Sequence, residues 1–204
     1  MRASTLLVAS TNKDKLREIK DYLSNLQKIR FRIIDLDYFP GLPDVIEDRQ
    51  SFRGNALKKA RERADGTGLR TLADDSGLVV DCLDGKPGIY SARYAGENAT
   101  DEDNIQKLIE ELKDVPREER SARFVCVMAI VDPLTGDEIV VEGCCEGIIE
   151  LELRGKNGFG YDPIFYVPKY KKTMAELSLR KKNKISHRAD ALRKMRDAVN
   201  ERYK

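Results

Sequence analysis

No stretch of this sequence is long and apolar enough to cross a bilayer. The apolar run near its start, Thr5-Leu6-Leu7-Val8-Ala9, is far shorter than the hydrophobic segment of a signal sequence. Cysteine is scarce. Cys82, Cys126, Cys144 and Cys145 form no C-x-x-C pair, which argues against a thiolate metal site or a disulfide framework and for buried thiols in a reducing compartment. An excess of one charge is also lacking. Thirty-seven Lys and Arg against 35 Asp and Glu leave a net charge of +2, too little to draw the chain to nucleic acid by global electrostatics. A soluble, cytoplasmic protein with neither a membrane nor a nucleic acid as partner is expected.

Two further absences bound the fold. There is no internal repeat and no linker that would cut the chain, so residues 1–204 are expected to form a single domain. Hydrophobic residues at 41% are ample for a core at this length, and charged residues at 35% make the surface densely ionic.

What is present begins with Ala73-Asp74-Asp75-Ser76-Gly77-Leu78-Val79-Val80-Asp81. Adjacent aspartates are costly to desolvate unless a cation or a shared proton offsets their repulsion. The stretch reads as a strand over 69–73, an acidic turn made possible by Gly77, and a buried strand after it. A carboxylate pair at a strand entrance suggests a hard-metal site, with Mg²⁺ the natural candidate.

Along the chain, Thr5–Ala9 reads as a central strand. Ser10-Thr11-Asn12-Lys13-Asp14-Lys15 follows, then a helix with Leu16, Ile19, Leu23 and Leu26 at helical spacing. A strand, a polar loop and a helix N-terminus offer outward backbone N–H groups to an anion, and Lys15 adds a point charge. The glycines and the Gly-Lys-Ser/Thr ending of a Walker loop are missing. After a second strand at 31–36 and an acidic, proline-containing loop, Ser51 is placed to cap a helix. On that helix Asn55 and Lys59, four apart, share a face. Thr100 or Asp101 caps another helix. Residues 122–131 and 137–145 read as a hairpin, and 147–153 as a third strand of the same meander. Alternating strands and helices followed by antiparallel strands make a mixed α/β fold.

Gly158-Phe159-Gly160-Tyr161-Asp162-Pro163-Ile164-Phe165 joins glycines that admit a ligand to aromatics that stack on a base. Beyond Pro168 the chain turns basic. Ser186 is placed to cap a last helix whose first turn holds the only histidine, His187, and Arg188. Cations at that end are electrostatically disfavoured, and an anion nearby would account for them. A competing reading takes the basic segment from Lys169 to Arg196 as a nucleic-acid surface. Against it stand the small net charge, the acidic 97–119 region and the Asp74-Asp75 pair.

Taken together, Ala-Asp-Asp-Ser-Gly-Leu at 73–78, Pro-Gly-Ile-Tyr-Ser-Ala-Arg-Tyr at 87–94 and Gly-Phe-Gly-Tyr-Asp-Pro-Ile-Phe at 158–165 resemble a known family. It is that of the inosine triphosphate pyrophosphatases, the Ham1-like pyrophosphatases of non-canonical purine nucleoside triphosphates. Matching stretches at 9–15, 52–60 and 185–192 keep the family order and carry the resemblance over nearly the whole chain. It implies an elongated mixed β-sheet flanked by helices, with two lobes and a cleft between them, in a homodimer. It also implies a Mg²⁺-dependent enzyme that converts ITP, dITP or XTP to the monophosphate and pyrophosphate, cleansing the nucleotide pool.

Carried over by resemblance, Asp75 is the catalytic carboxylate, as general base or metal ligand. Ser10, Thr11, Asn12, Lys13, Asp14 and Lys15 hold the triphosphate, with Lys59 reaching it and Ser76 helping at the same end. Phe159, Gly160, Tyr161 and Asp162 line the nucleoside pocket, and Lys182, His187 and Arg188 contact the base. The chain departs from the family at Ile46, where the first of two adjacent acids is usual. Glu47 then takes the place of the second metal carboxylate, with Asp48 the alternative. Pyrimidine or modified nucleotides are the other substrates the same scaffold would admit.

Overall fold

The computed structural model describes residues 4–24 and 31–202. Strand β1 spans Ser4–Val8 and helix α1 Lys13–Ser24, with β2 following at Phe31–Asp35. Leu26, expected on the apolar stripe of α1, lies outside the described residues. Helix α2 runs Phe52–Thr67, β3 Thr71–Val80, α3 Asp101–Leu112, β4 Ser121–Val131 and β5 Glu138–Ile149. The short strands β6, Phe165–Val167, and β7, Lys172–Thr173, precede α4, Leu179–Ile185, and α5, His187–Arg202. Among the described residues seven strands form a sheet in the order β2-β1-β3-β4-β5-β6-β7. β1 pairs in parallel with β2 and β3, and β6 pairs antiparallel with β5 and β7, so the sheet is mixed and the α/β class holds.

The chain divides into two compact units. The first comprises residues 1–75, 126–143 and 188–204. Its crossovers α1 and α2 return the chain for parallel pairing, which needs a helix-length connection. Leu72 of β3 and Cys126, Met128 and Ile130 of β4 pack with Ile19 of α1 and Ala191, Leu192 and Met195 of α5. On α2, Ala56, Ala60 and Ala64 recur every fourth residue and are fully buried. Ser51 caps α2 by accepting the Gly54 N–H at 3.1 Å, and Gly68 closes it in the left-handed conformation.

The second unit comprises residues 76–125 and 144–187. Leu78 and Val80 of β3 pack with Ile105, Leu108 and Leu112 of α3, together with Phe124, Tyr161, Ile164 and Phe165. Thr100, rather than Asp101, caps α3, in a reciprocal box with Asp103. The segment 88–93 is a 3₁₀ turn whose Ser91 is a structural joint. Its Oγ accepts from Leu78 N at 2.9 Å, and its carbonyl accepts from Tyr161 Oη at 2.9 Å.

Two expected boundaries differ from the structure. The acidic stretch is not a turn, because Thr71 to Val80 is one unbroken strand with Asp74, Asp75 and Gly77 inside it. The expected third strand over 147–153 does not form either. β5 continues to Ile149, and the next strand begins at Phe165. Gly147 is there for proximity rather than for turning. A Cβ on it would sit 2.6 Å from the Phe165 ring and from Tyr166 O, so the missing side chain lets β6 lie against β5.

Candidate active site

Alternation along β3 sends neighbouring side chains to opposite faces of the sheet. Asp74 therefore shares the face of Leu72, toward α1 and α5, while Asp75 faces α2. Both carboxylates are buried. Lys15 of α1 approaches Asp74 to 3.1 Å, and Arg188 of α5 lies 3.8 Å from it. Arg188 is itself held by an ion pair with the buried Glu18 of α1. On the other face Asn55 Nδ2 donates to Asp75 Oδ2 at 3.0 Å, and Lys59 Nζ stands 4.0 Å from Asp75 Oδ1. Lys59 also donates to Glu47 Oε1 at 2.7 Å.

The two neighbours consequently titrate in opposite directions. Burial alone would raise Asp74, but Lys15, Arg188 and Lys59 outweigh it and hold that carboxyl well below the usual range. Burial raises Asp75, Glu47 adds to the rise, and Lys59 and Lys15 do not cancel it. Burial disfavours the Lys59 ammonium, yet Asp74, Asp75 and Glu47 overcome this and keep it charged.

A cavity of about 240 Å³ opens in the same unit, lined among others by Thr11, Glu47, Lys59 and Arg63. Of the residues expected to hold a triphosphate, Thr11, Asn12 and Lys13 are exposed and Ser10, Asp14 and Lys15 half-buried. Asn12 has a local task, since its Oδ1 accepts the Asp14 and Lys15 N–H groups at 3.0 Å each and caps α1. Asp14 pairs with Arg17. Glu47 and Asp48 part company: Asp48 is exposed and bonds Lys58 at 2.8 Å, whereas Glu47 reaches Lys59. Ile46, just before Glu47, is exposed.

The second unit gathers most of the expected nucleoside residues. Lys182 Nζ bonds Asp162 Oδ2 at 2.5 Å, with both side chains buried. The same oxygen accepts the Phe159 N–H at 3.0 Å, and the Lys182 ammonium lies 4.6 Å from the Phe159 ring centroid. Gly158 has φ +81°, and a Cβ on it would fall 1.9 Å from Asp162 Oδ2, so only glycine fits beside that carboxylate. Gly160 N donates to Asp101. Tyr161 is buried, with its hydroxyl on Ser91. Buried His187 stacks on Phe124 at 4.8 Å between centroids. Ser76 begins this unit, directly after Asp75. Arg188 belongs to the first unit, where its guanidinium is engaged by Glu18 and Asp74.

Sequence reasoning missed Glu18, Asn55 as a direct partner of Asp75, and Arg63. Glu18 stands three residues after Lys15, and Arg63 four after Lys59; helical spacing from a chosen lysine was the signal available.

Chemically, a buried acid raised by burial, an acid fixed by cations and two lysines suit hydrolysis of a polyphosphate. The α/β fold and this acid-and-lysine constellation define a phosphate-handling hydrolase. The model of the Ham1 family matches residues 6–198, and the chain belongs to that family. It is 53% identical over 192 residues to the dITP/XTP pyrophosphatase of Geobacter sulfurreducens, covering 94% of both chains. It is 48% identical over 198 residues to that of Desulforamulus reducens, covering 97% of this chain and 96% of the relative. Among solved structures, a HAM1 protein from Coxiella burnetii superposes with a TM-score of 0.87 at 44% identity, covering 97% of this chain and 99% of that one. The Staphylococcus aureus Ham1 protein does so at 0.86 and 40% identity, covering 98% and 100%.

Proposed function

We propose that this protein hydrolyses dITP, XTP and ITP to the monophosphate and pyrophosphate, removing non-canonical purines from the nucleotide pool. The observation that carries the mechanism is the placement of Asp74 and Asp75 on the two faces of one strand, Asp74 beside Lys15 and Arg188 and Asp75 beside Asn55 and Lys59. Asp75, whose affinity for a proton is raised, orients and deprotonates the water that attacks the α-phosphorus. Lys59, kept charged by its acidic neighbours, and Lys15 stabilise the negative charge that develops on departing pyrophosphate. Asp74, fixed as an anion by Lys15 and Arg188, holds those cations in place. The Ser10–Lys15 segment and Ser76 bind the triphosphate.

The donor set fits a Mg²⁺ ion. Among the described residues no group of three or more His, Cys, Asp or Glu side chains suited to a metal occurs. Mg²⁺ is commonly held by one or two carboxylates with substrate phosphates completing the shell. Asp75 and Glu47 meet that requirement, since both approach one ammonium and Glu47 adds to the rise in Asp75. When bound, the ion supplies charge neutralisation on the phosphates.

In the second unit Phe159 offers a ring face to the base, and Gly160, Tyr161, Asp162 and His187 shape the pocket. Lys182, with three donors, favours the O6 acceptor of a 6-keto purine. The 6-amino group of adenine would leave that preference unmet. Arg188 serves the acid pair in this reading rather than the base. A homodimer in the cytoplasm completes the proposal. The location rests on the cysteine spacing, which holds no C-x-x-C pair. The dimer rests on family resemblance.

Pyrophosphate release from ITP, XTP, dITP, GTP, ATP and dTTP, each with Mg²⁺ and with EDTA, tests the proposal. Release from ITP, XTP and dITP with metal alone, lost in Asp75→Asn, is the expected result. Activity on none of the six would overturn it.

A further inference from the structure

Helix α2 carries two glycines besides its closing Gly68, Gly54 in its first turn and Gly66 in its last. Their neighbours explain them. A Cβ on Gly54 would lie 2.8 Å from Arg49 Cβ, and one on Gly66 would lie 3.1 Å from Leu42 Cδ2. The segment from Leu42 to Arg49 therefore runs antiparallel along α2, close enough at both ends that larger residues would push it away.

Between those ends, polar side chains at every fourth position of α2 grip the segment. Asn55 Oδ1 accepts the Arg49 N–H at 2.9 Å, Lys59 bonds the Glu47 carboxylate at 2.7 Å, and Arg63 Nη1 donates to Pro43 O at 2.7 Å. Arg63 is buried and also stands 3.7 Å from the exposed Asp44 carboxylate. Asn55 and Lys59 are occupied on their other side by Asp75. Arg63 shares the row but not that second duty. It lines the same cavity as Glu47 and Lys59, and its visible bond is to the strap.

We infer that Arg63 is a positioning residue: it fastens the 42–49 strap to α2 and thereby holds Glu47 beside Lys59 and Asp75. The inference rests on the proposed function only for what Glu47 does there; the fastening is a property of the fold. The charge-assisted bond to a carbonyl fixes the strap upstream of Glu47, and the Lys59 bond fixes Glu47 itself. Loss of the first lets the acid swing on a longer tether.

Hydrogen exchange on Arg63→Met, Arg63→Lys and the wild type tests the fastening without reference to turnover. Arg63→Met should speed exchange at the hydrogen-bonded Asp48 and Arg49 amides by roughly tenfold, the worth of one charge-assisted hydrogen bond, while β3 amides keep wild-type rates. Arg63→Lys should restore part of the protection. In pyrophosphate release, Arg63→Met should raise the Mg²⁺ concentration for half-maximal rate several-fold and leave KM at saturating Mg²⁺ near the wild-type value. Added to Glu47→Gln, it should have no further effect on that concentration. Unchanged exchange at those two amides, or acceleration spread equally through β3, would overturn the fastening. Independent effects in the double variant would overturn its action through Glu47. A wild type that releases no pyrophosphate fails the function, and the exchange data still decide the fastening.

Discussion

Both units bury charge, but they balance it differently. In the second unit one carboxylate, Asp162, meets one ammonium, Lys182, and the pair is closed with a backbone N–H on the same oxygen. In the first unit the charges form a cluster instead: Glu18 and Asp74 share Arg188, and Glu47 and Asp75 share Lys59. A balanced buried pair fixes geometry. In the cluster, burial first and Glu47 second raise the proton affinity of one acid, Asp75. In the proposed reading, the second unit shapes the ligand and the first reacts with it.

The sharpest way to break this comparison is to remove the acid with the raised proton affinity. Asp75→Asn should lower pyrophosphate release by about 10³-fold, in the range for a general base. The same change should raise the thermal midpoint, because the ionised carboxylate is disfavoured where it sits. A variant that lost activity and stability together would place Asp75 with the balanced pairs. Lys182→Met should do the opposite in the second unit. It leaves Asp162 buried without its ammonium and should cost about 3 kcal/mol of stability, read from denaturant unfolding. A loss below 1 kcal/mol would show that water reaches that carboxylate.

A gentler probe is pH, in EDTA. Asp74 has a lowered folded value, so its contribution is present above the ordinary carboxylate pKa and is lost as pH falls through the lower one. Asp75 has a raised folded value, so it subtracts from stability as pH rises from the ordinary value through the raised one. The thermal advantage of Asp75→Asn should therefore be absent near pH 3 and grow toward neutrality. A constant offset would contradict the assignment. Least affected should be Asp48→Asn, since Asp48 bonds Lys58 at the surface. Activity should stay within about twofold of wild type, as for other exposed pairs. A large loss would return Asp48 to the metal-ligand role that Glu47 holds in this reading.

Much of the site was legible because its parts are local in sequence. Asp74 and Asp75 adjoin, Asn55 and Lys59 are a helical turn apart, and Phe159 to Asp162 are contiguous. What escaped was the three-dimensional partner of each. Glu18 is one of many acids until α5 brings Arg188 to it, and Arg63 one of many arginines until the strap lies on α2. Gly77 misled in the same way. It spelled a turn, whereas β3 runs straight through it, and Gly147, read as opening a new strand, lies inside β5 to admit a neighbouring strand. Tertiary packing decides which use a glycine has, and no local pattern carries that information.

The division of labour between Asp74 and Asp75 depends on the parity of a single strand. Insertion or loss of one residue between Thr71 and Asp74 would exchange their faces, turning toward α2 the acid now pinned by Lys15 and Arg188. Insertion of two would restore the faces but shift both acids along the sheet by a pleat. The chain can therefore drift in length within its loops, while this stretch has to be inherited as a count as well as a composition.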